Sequence, residues 1–365
     1  MRTTPIIYVL DVGQGSCNVI DLGRKAPKNG KHPGRVGNRA IVIDCGPATP
    51  KVLPQLLAER GIDWIDGLIL THSDKDHVGG LPALVEHCKG RISQVYYTFD
   101  RIDLKDLGVQ LDDYVRKKWI LNTPIQVTVN GSEEQLYPAV VHTLPTSESE
   151  LPRKVYPKSR VKLYALSPSG HGGTQDAKKP GKRNHVSMVC LLRIDDTNLL
   201  FPGDSHVDNW KRIIEIRQNR PLAAKAIVVP HHGGIVYNNQ TDLDWLYQKA
   251  IKTDFGIISA GTNNQPGHPK PDVLKALYAE KIKVVCTEIT PNCSGCSKNK
   301  IGKEKHRKLR TLRPSFSSLK NNDKVPCNGT IEFWINNNRI EFAPPTDKAM
   351  DDSWTDEQKN RCPLM

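Results

Sequence analysis

Four side chains that can bind metal ions lie within six residues, in the run Thr71-His72-Ser73-Asp74-Lys75-Asp76-His77. The apolar residues Leu68-Ile69-Leu70 precede this run directly, which is typical of a buried β-strand that ends in a loop. Imidazole and carboxylate together suit Zn²⁺, Mn²⁺ or Fe²⁺, and they are not the thiolate set of a structural zinc site. Two ligand pairs on one loop can also hold two metal ions, as in metal-assisted hydrolysis.

Groups of the same chemistry recur after other apolar runs. Asp204 follows Leu200-Phe201-Pro202-Gly203, and the pair His231-His232 follows Val228-Val229-Pro230. Paired histidines are unusual in surface loops, which more often use Gly, Asn, Asp or Ser. The interpretation that the first run is only a solvated loop is therefore disfavoured.

Two further strand ends carry polar residues of another kind. Asp44 ends an apolar run and has no ligand beside it in sequence, which indicates either an outer residue that orients the ligands or a structural acid. The segment Asp11-Val12-Gly13-Gln14-Gly15 is either an ordinary hairpin turn or a backbone pass beside the site, with Asp11 and Gln14 facing ligands or substrate.

Strand-like and helix-like segments alternate in two similar halves, which predicts sheets covered by helices on their outer faces. We expect a strand at residues 67–71, a helix at about 241–251 and a strand at 255–259. We expect one domain over residues 1–343, with a basic, cysteine-flanked insertion at about 286–327. A polar tail follows at 344–365.

The chain carries 52 Lys and Arg against 39 Asp and Glu, a formal charge of +13. The segment 297–324 holds ten of these basic residues and only two acids, and residues 24–39 form a second basic stretch. Each alone is typical of a solvated loop, whereas both together favour a phosphate-rich partner such as nucleic acid. No apolar run approaches a bilayer span and no signal-peptide pattern is present, so we expect a cytoplasmic location without membrane contact.

Four cysteines form a separate candidate site. A CxxC at Cys293 and Cys296 lies between Cys286 and Cys327, with His306 as an alternative fourth ligand. In a cytosolic protein this pattern favours a structural Zn²⁺ that fastens the basic insertion, and the alternative is a set of reduced thiols.

The ordered motifs resemble those of the metallo-β-lactamase superfamily. More narrowly, they are similar to the branch that contains the soluble hydrolase domain of the bacterial competence channel ComEC. The chain shows six of that branch's motifs in order: Asp11 to Gly15, His72 to His77, Asn184 to Val189, Gly203-Asp204, His231 to Gly233, and Gly267 to Pro271. The resemblance implies an α/β fold, the metallo-β-lactamase αββα sandwich, with two divalent metal ions (Zn or Mn) at one edge.

The resemblance also implies roles for single residues. His72 and Asp74 would hold the first metal, Asp76 and His77 the second, and Asp204 would bridge them. One of His231 and His232 would complete the second site while the other faces substrate. His185 either restores a third ligand to the first site or only begins a strand. We also expect Asp76, His232 and His268 to act in catalysis, the last by contacting a phosphate or leaving group.

These observations lead to one main functional hypothesis and two alternatives. The main one is a metal-dependent phosphodiesterase or nuclease in which a bridging hydroxide attacks the substrate. The first alternative is a metallo-hydrolase of an ester, amide or other acyl bond. The second is a non-catalytic module that works with a soluble protein partner in a defence or DNA-processing complex.

Overall fold

The computed structural model describes residues 4–23, 38–48, 51–98, 105–127, 161–167, 183–262, 264–288, 290, 292 and 327–343. Within these residues the strands are β1 Ile6–Val9, β2 Asn18–Asp21, β3 Asn38–Ile43, β4 Ile62–Leu70, β5 Ile92–Tyr97, β6 Ile125–Gln126, β7 Val161–Ser167, β8 Val189–Ile194, β9 Thr197–Phe201, β10 Leu222–Val228, β11 Ile251–Ile258, β12 Lys283–Cys286, β13 Ile331–Asn336 and β14 Arg339–Phe342. The helices are α1 Val52–Arg60, α2 Lys75–Val78, α3 Leu81–His87, α4 Lys105–Arg116, α5 Val207–Ile216, α6 Gln240–Trp245 and α7 Pro271–Ala279.

The strands form two sheets. One has the order β14-β13-β1-β2-β3-β4-β5-β6, and the other has the order β12-β11-β10-β9-β8-β7. Strands β3 to β6 run parallel in the first sheet, and β9 to β12 run parallel in the second. The carboxyl ends of neighbouring parallel strands meet at one edge, so each sheet gathers the loops that follow its central strands.

Three apolar layers hold the sheets and helices together. Residues such as Ile41 and Phe201 from the two sheets pack against each other in the central layer. Leu56 of α1 lies in an outer layer on the first sheet, and Trp210 of α5 lies in an outer layer on the second. Strands covered on both faces explain the near-continuous apolar runs in the sequence. This arrangement confirms the predicted αββα sandwich.

Two element boundaries differ from the sequence-based expectation. The strand predicted at 67–71 begins five residues earlier, because Gly61 ends α1 in the left-handed conformation and the chain enters β4 at Ile62. Ile251, expected as the end of a helix, is the first residue of β11 and pairs with Leu222 of β10. The helical segment continues past α6 as a wider turn, Leu246–Ala250, and stops there.

The ends of the cysteine-flanked insertion lie side by side. Cys286 and Cys327 are both buried, and the Asn328 backbone N–H donates to the Cys286 carbonyl at 3.2 Å. Cys293, Cys296, His306 and the tail 344–365 lie outside the described residues, so the structural zinc and the tail stay predictions. None of the described helices is long and apolar enough to cross a bilayer.

Candidate metal centre

The residues singled out in the sequence lie in the segments that follow the parallel strands, and two of them, Asp76 and His77, belong to the short helix α2. Asp44 follows β3 and the 72–77 run follows β4, while Asp204 follows β9 and the histidine pair follows β10. His77 follows a strand of the first sheet and contacts Asp204 and His232, which follow strands of the second. The segments at the two sheet edges therefore meet in one cluster.

The side chain of Asp44 is fully buried and supports this cluster through hydrogen bonds. Its carboxylate accepts hydrogen bonds at 2.8 Å from the Thr71 backbone N–H, the Thr71 hydroxyl and the His77 Nδ1–H. These three donors satisfy the buried charge and fix the His77 ring in one orientation. These contacts place Asp44 where it can orient His77, and the outer role assigned to Asp44 stays a prediction.

Hydrogen bonds at Nδ1 fix the tautomers of three buried imidazoles. His77 donates to Asp44, and His232 donates to the Ser259 carbonyl at 2.9 Å. The Thr71 hydroxyl gives its single hydrogen to Asp44, so it accepts from His72 Nδ1–H at 3.1 Å. When one of these rings is neutral, its Nε2 is therefore the unprotonated nitrogen, and this atom faces the cluster.

These nitrogens converge on carboxylates in a way that fits divalent metal ions. His77 Nε2 lies 3.2 Å from His232 Nε2 and 3.0 Å from Asp204 Oδ1, while His232 Nε2 lies 3.4 Å from Asp76 Oδ2. His72 Nε2 is buried and has no hydrogen-bond partner within the described part of the chain. Neutral rings would turn lone pairs towards each other and towards two carboxylates, so these contacts need protons or metal ions among them, and this donor set suits a metal site.

The cluster contains two overlapping sets of ligand atoms. One set is His72, His77 and Asp204, and the other is Asp76, His77 and His232, each with its ligand atoms within 4.8 Å of one another. His77 belongs to both sets, whereas the resemblance gave it to the second metal alone. Asp74 Oδ2 lies 3.6 Å from His72 Nε2, at the outer end of the first set.

Electrostatic attraction between the carboxylates and the imidazoles keeps Asp204 and Asp76 ionised. Burial alone would raise the pKa of Asp204, but His77, His232 and His72 outweigh it and hold that pKa well below its usual value. Burial also opposes ionisation of Asp76, yet its hydrogen bond to His232 and the nearby His77 lower the pKa to about 2. Conversely, burial lowers the pKa of His77, but Asp204 and Asp44 raise it well above its usual value.

His231 and His232 occupy different positions. His232 is buried in the cluster, whereas the His231 side chain is 26% exposed and faces the His268 ring, with centroids 4.9 Å apart. His231 Nδ1 lies 3.3 Å from the Ile235 carbonyl, and its Nε2 points towards Asp204 Oδ2 at 3.6 Å. His231 therefore lies on the His72 side of Asp204, at the open rim of the cluster.

His185 forms a group with His206 and Asp208, not with His72 and Asp204. The preceding residue, Asn184, is the one that reaches the cleft, where its side chain lies 3.5 Å from His231 Nδ1. Besides His72, the imidazole that lies beside Asp204 Oδ2 is thus His231, and not His185.

His268 differs from the other imidazoles of the cleft in its tautomer. Gln14 Oε1 accepts from the Gly261 N–H at 3.5 Å, so Gln14 Nε2 donates to His268 Nδ1 at 3.4 Å. His268 therefore carries its hydrogen on Nε2. Burial, together with His231 and His232, lowers the pKa of His268 to about 3, so the ring is a neutral hydrogen-bond donor at pH 7.

Close backbone contacts and left-handed residues shape the site. A Cβ at Gly15 would lie 2.4 Å from the Asp76 carbonyl oxygen, so only glycine lets the 11–15 turn pack beneath the metal loop. Asp44, His231 and His232 have φ values of 61°, 53° and 58°, a conformation that costs a non-glycine residue about 1–2 kcal/mol. Strain of this kind concentrates at functional sites.

Asp11 is not part of the metal cluster and is fully buried beside Glu288, a residue that no sequence motif singles out. The Thr262 backbone N–H and hydroxyl donate to Glu288 at 2.5 and 2.6 Å. Burial, and then the charge and hydrogen bond of Asp11, raise the pKa of Glu288 to about 9. No local pattern marks Glu288, because its partners are distant in sequence.

Comparison with known proteins identifies the family. The family model of the metallo-β-lactamase superfamily matches residues 35–215. Together with the sandwich fold and the metal cluster, this match shows that the chain carries a domain of that superfamily, as its motifs predicted. Members of this superfamily are generally metal-dependent hydrolases.

A curated relative supports the narrower resemblance. ComE operon protein 3 of Bacillus subtilis is 26% identical over 252 residues, which are 69% of this chain. Those residues cover 27% of the relative, so this chain matches only about a quarter of its length.

Three solved structures are similar to this chain at low sequence identity. YhfI from Bacillus subtilis is 12% identical, with a TM-score of 0.43 over 78% of this chain and 96% of that one. Zn²⁺-bound PqqB from Methylobacterium extorquens is 11% identical, with a TM-score of 0.41 over 77% and 97%. The short form of human tRNase Z is 12% identical, with a TM-score of 0.32 over 61% and 76%.

Proposed function

We propose that the protein is a metal-dependent phosphodiesterase that acts on nucleic acid. The observation that carries this proposal is the position of Asn292, which lies shortly before the basic segment in the sequence. The Asn292 side chain donates to the Gly267 and Pro269 carbonyls at 2.9 and 3.1 Å, on both sides of His268. The ten basic residues of 297–324 follow within a few positions. Asn292, which precedes this basic stretch by a few residues in sequence, thus lies at the rim of the cleft, where a polyanion would approach.

The cluster's residues fit two ions. His72, Asp74 and His231 would hold one ion, Asp76, His77 and His232 the other, and Asp204 would lie between them. Divalent ions held there supply Lewis acidity and lower the pKa of bound water. The Nδ1 hydrogen bonds to Thr71, Asp44 and Ser259 keep three Nε2 lone pairs aimed at these ions without reorganisation.

Asp76 is suited to orient the attacking water. Its side chain is 33% exposed, and one of its oxygens lies against His232. With a pKa of about 2 it stays ionised at neutral pH and can accept a hydrogen bond from water in the cleft.

His268 is suited to bind the phosphoryl oxygens. Its neutral ring presents Nε2–H beside His231 at the rim. Because the pKa of His268 is near 3, the ring stabilises developing negative charge by hydrogen bonding and does not deliver a proton at pH 7.

The test is cleavage of labelled single- and double-stranded DNA and RNA with Mn²⁺, Zn²⁺, Mg²⁺ or no metal. We expect metal-dependent cleavage that Asp76→Ala/His77→Ala abolishes. Charge reversal at Lys298, Lys300 and Lys303 should weaken polymer cleavage and flatten its salt dependence, while hydrolysis of bis-(p-nitrophenyl) phosphate stays unchanged. The matched control reverses Lys249, Lys252 and Lys281, which are exposed elsewhere on the described surface.

Two results would overturn the proposal. Hydrolysis of esters or amides without cleavage of any phosphodiester would assign the cleft to acyl substrates. Retention of metal without hydrolysis of either class would assign the protein to binding alone.

A further inference from the structure

A second group of metal-ligating side chains lies outside the cleft cluster. His185 and His206 stack with ring centroids 4.2 Å apart and an interplanar angle of 25°. Asp208 Oδ2 faces both rings, at 3.6 Å from His185 Nδ1 and 3.2 Å from His206 Nδ1. We propose that His185, His206 and Asp208 form a third metal site, which takes a divalent transition-metal ion such as Zn²⁺.

The distances suit such an ion. Two ligands that each lie about 2.0 Å from a tetrahedral metal are about 3.3 Å apart. The two imidazole-to-carboxylate distances lie on either side of this value, and one ligand atom from each residue falls within 4.8 Å of the other two. Two imidazoles and one carboxylate form a common set for zinc and for other borderline metals.

The hydrogen bonding of His206 leaves a contact that a cation would relieve. His206 precedes α5, and its Nδ1 accepts from the Asp208 backbone N–H at 3.4 Å. An Nδ1 that accepts a hydrogen bond carries a lone pair, and this lone pair lies 3.2 Å from the Asp208 carboxylate. A lone pair that faces a carboxylate is repulsive, whereas an ion bound to both atoms would make their closeness favourable and would take the lone pair from the long hydrogen bond with the Asp208 backbone N–H.

The site is open enough to load from solution. The Asp208 side chain is 51% exposed, while those of His185 and His206 are 19% and 13% exposed. Water can therefore reach the Asp208 carboxylate and supply further ligands, while the two imidazole rings are largely buried. The Asn209 side chain fixes the backbone of this site by donating to the His185 carbonyl at 2.8 Å.

The site also joins two segments that border the cleft. His185 belongs to the turn Arg183–Val186, and His206 is two residues beyond Asp204. The His206 backbone N–H lies 3.4 Å from the Asn184 carbonyl, and Asn184 faces His231. An ion bound there would hold Asn184 against the rim of the cleft. This inference does not depend on the phosphodiesterase proposal.

The test is metal stoichiometry by mass spectrometry after the metal-free full chain is dialysed against buffered Zn²⁺. We expect His185→Ala and Asp208→Asn each to bind one equivalent fewer than wild type. The difference between proteins cancels any ion held by cysteines. Asp76→Ala/His77→Ala should lose cleft metal and retain the third ion, and His87→Ala should bind as wild type does.

Unchanged stoichiometry in both single variants would overturn the proposal and leave the stacked rings as a packing contact. Because Asp208 is half exposed and the substitution is isosteric, Asp208→Asn keeps the test decisive if His185→Ala misfolds. Loss of the cleft ions along with the third, in both folded variants, would also count against a separate site.

Discussion

Two buried clusters of acidic residues lie in the described part of this chain, and charge is stabilised in opposite ways in the two. In the metal cluster, Asp204 is almost fully buried and ionised. In the carboxyl pair of Asp11 and Glu288, both side chains are fully buried, and the pKa of Glu288 is raised to about 9. Burial is similar in both, so burial does not decide the outcome.

The neighbours decide it. Imidazoles surround Asp204, and their attraction outweighs the desolvation that burial imposes. Glu288 has another carboxyl group as its neighbour, so desolvation and repulsion act together and the proton stays on. The comparison teaches that one cluster is built to hold cations, whereas the other is held together by a proton.

The largest effect should follow from removal of Asp204. Asp204→Ala leaves the lone pairs of three imidazoles without the carboxylate between them, so we expect loss of both cleft ions. A Lewis acid in such a site contributes several kcal/mol to the transition state, so hydrolysis should fall at least ~10³-fold. Asp254→Ala, an exposed aspartate paired with Lys225, is the matched control. Full metal binding by Asp204→Ala would contradict the contrast between the two clusters, because the ionised carboxylate of Asp204 would then not be needed to bind the metal ions.

A smaller effect should follow from Asp44→Asn. Asparagine tolerates the left-handed conformation, but its NH₂ group cannot accept the hydrogen bonds that Asp44 receives from Thr71 and His77. Loss of an outer partner of this kind weakens metal binding ~10–100-fold. Competition with a chromophoric chelator measures the affinity.

Asp66→Asn is the control for Asp44→Asn, because Asp66 is also buried but contacts Arg39 and no metal ligand. Equal losses of metal affinity in the two variants would show that Asp44 acts through general stability and not through His77.

Much of the metal cluster could be predicted from the sequence, for a physical reason. Its ligands lie directly after apolar strands, and parallel strands bring their carboxyl ends to one edge, so local patterns report a tertiary site. The outer role of Asp44 followed from the same rule. The tautomers did not, because they depend on partners such as the Ser259 carbonyl that no side-chain pattern reveals.

The carboxyl pair and the third metal group could not be predicted. Glu288 follows β12 of one sheet and Asp11 follows β1 of the other, and no periodicity near either residue marks the contact. His206 and Asp208 have the pattern of an ordinary helix start. The sequence alone did not show which of the neighbours Asn184 and His185 faces the cleft, and in the structure it is Asn184.

The carboxyl pair predicts a pH effect on stability. The pKa of Glu288 is raised from its usual 4.5 to about 9, so between these values the folded protein holds a proton that the unfolded chain releases. The contribution of Glu288 to stability is therefore greatest below pH 4.5 and falls as pH rises, by at most ~1.4 kcal/mol per pH unit, until about pH 9. Glu288→Gln keeps a neutral side chain and should remove this slope. Urea unfolding from pH 6 to 9 measures it.

The control for Glu288→Gln is Glu86→Gln, which lies on an exposed ion pair and should keep the wild-type slope. A slope that Glu288→Gln leaves unchanged would mean that Glu288 is ionised in the fold, and the contrast with the metal cluster would disappear.

The smallest effect concerns backbone strain, which marks the metal cluster and not the carboxyl pair. His231, at φ 53°, belongs to the cluster, whereas Asp11 and Glu288 have no positive φ. Asparagine tolerates this conformation better than histidine, so His231→Asn should raise the free energy of unfolding of the metal-free protein by ~0.5 kcal/mol. The same change should lower metal affinity, since it removes the Nε2 beside Asp204. Lys118→Asn, at an exposed residue with φ 55°, should give the same gain with unchanged affinity. If only Lys118→Asn stabilises the protein, the contacts of the His231 ring outweigh its strain even without metal, and the cluster is not strained for the sake of its ions.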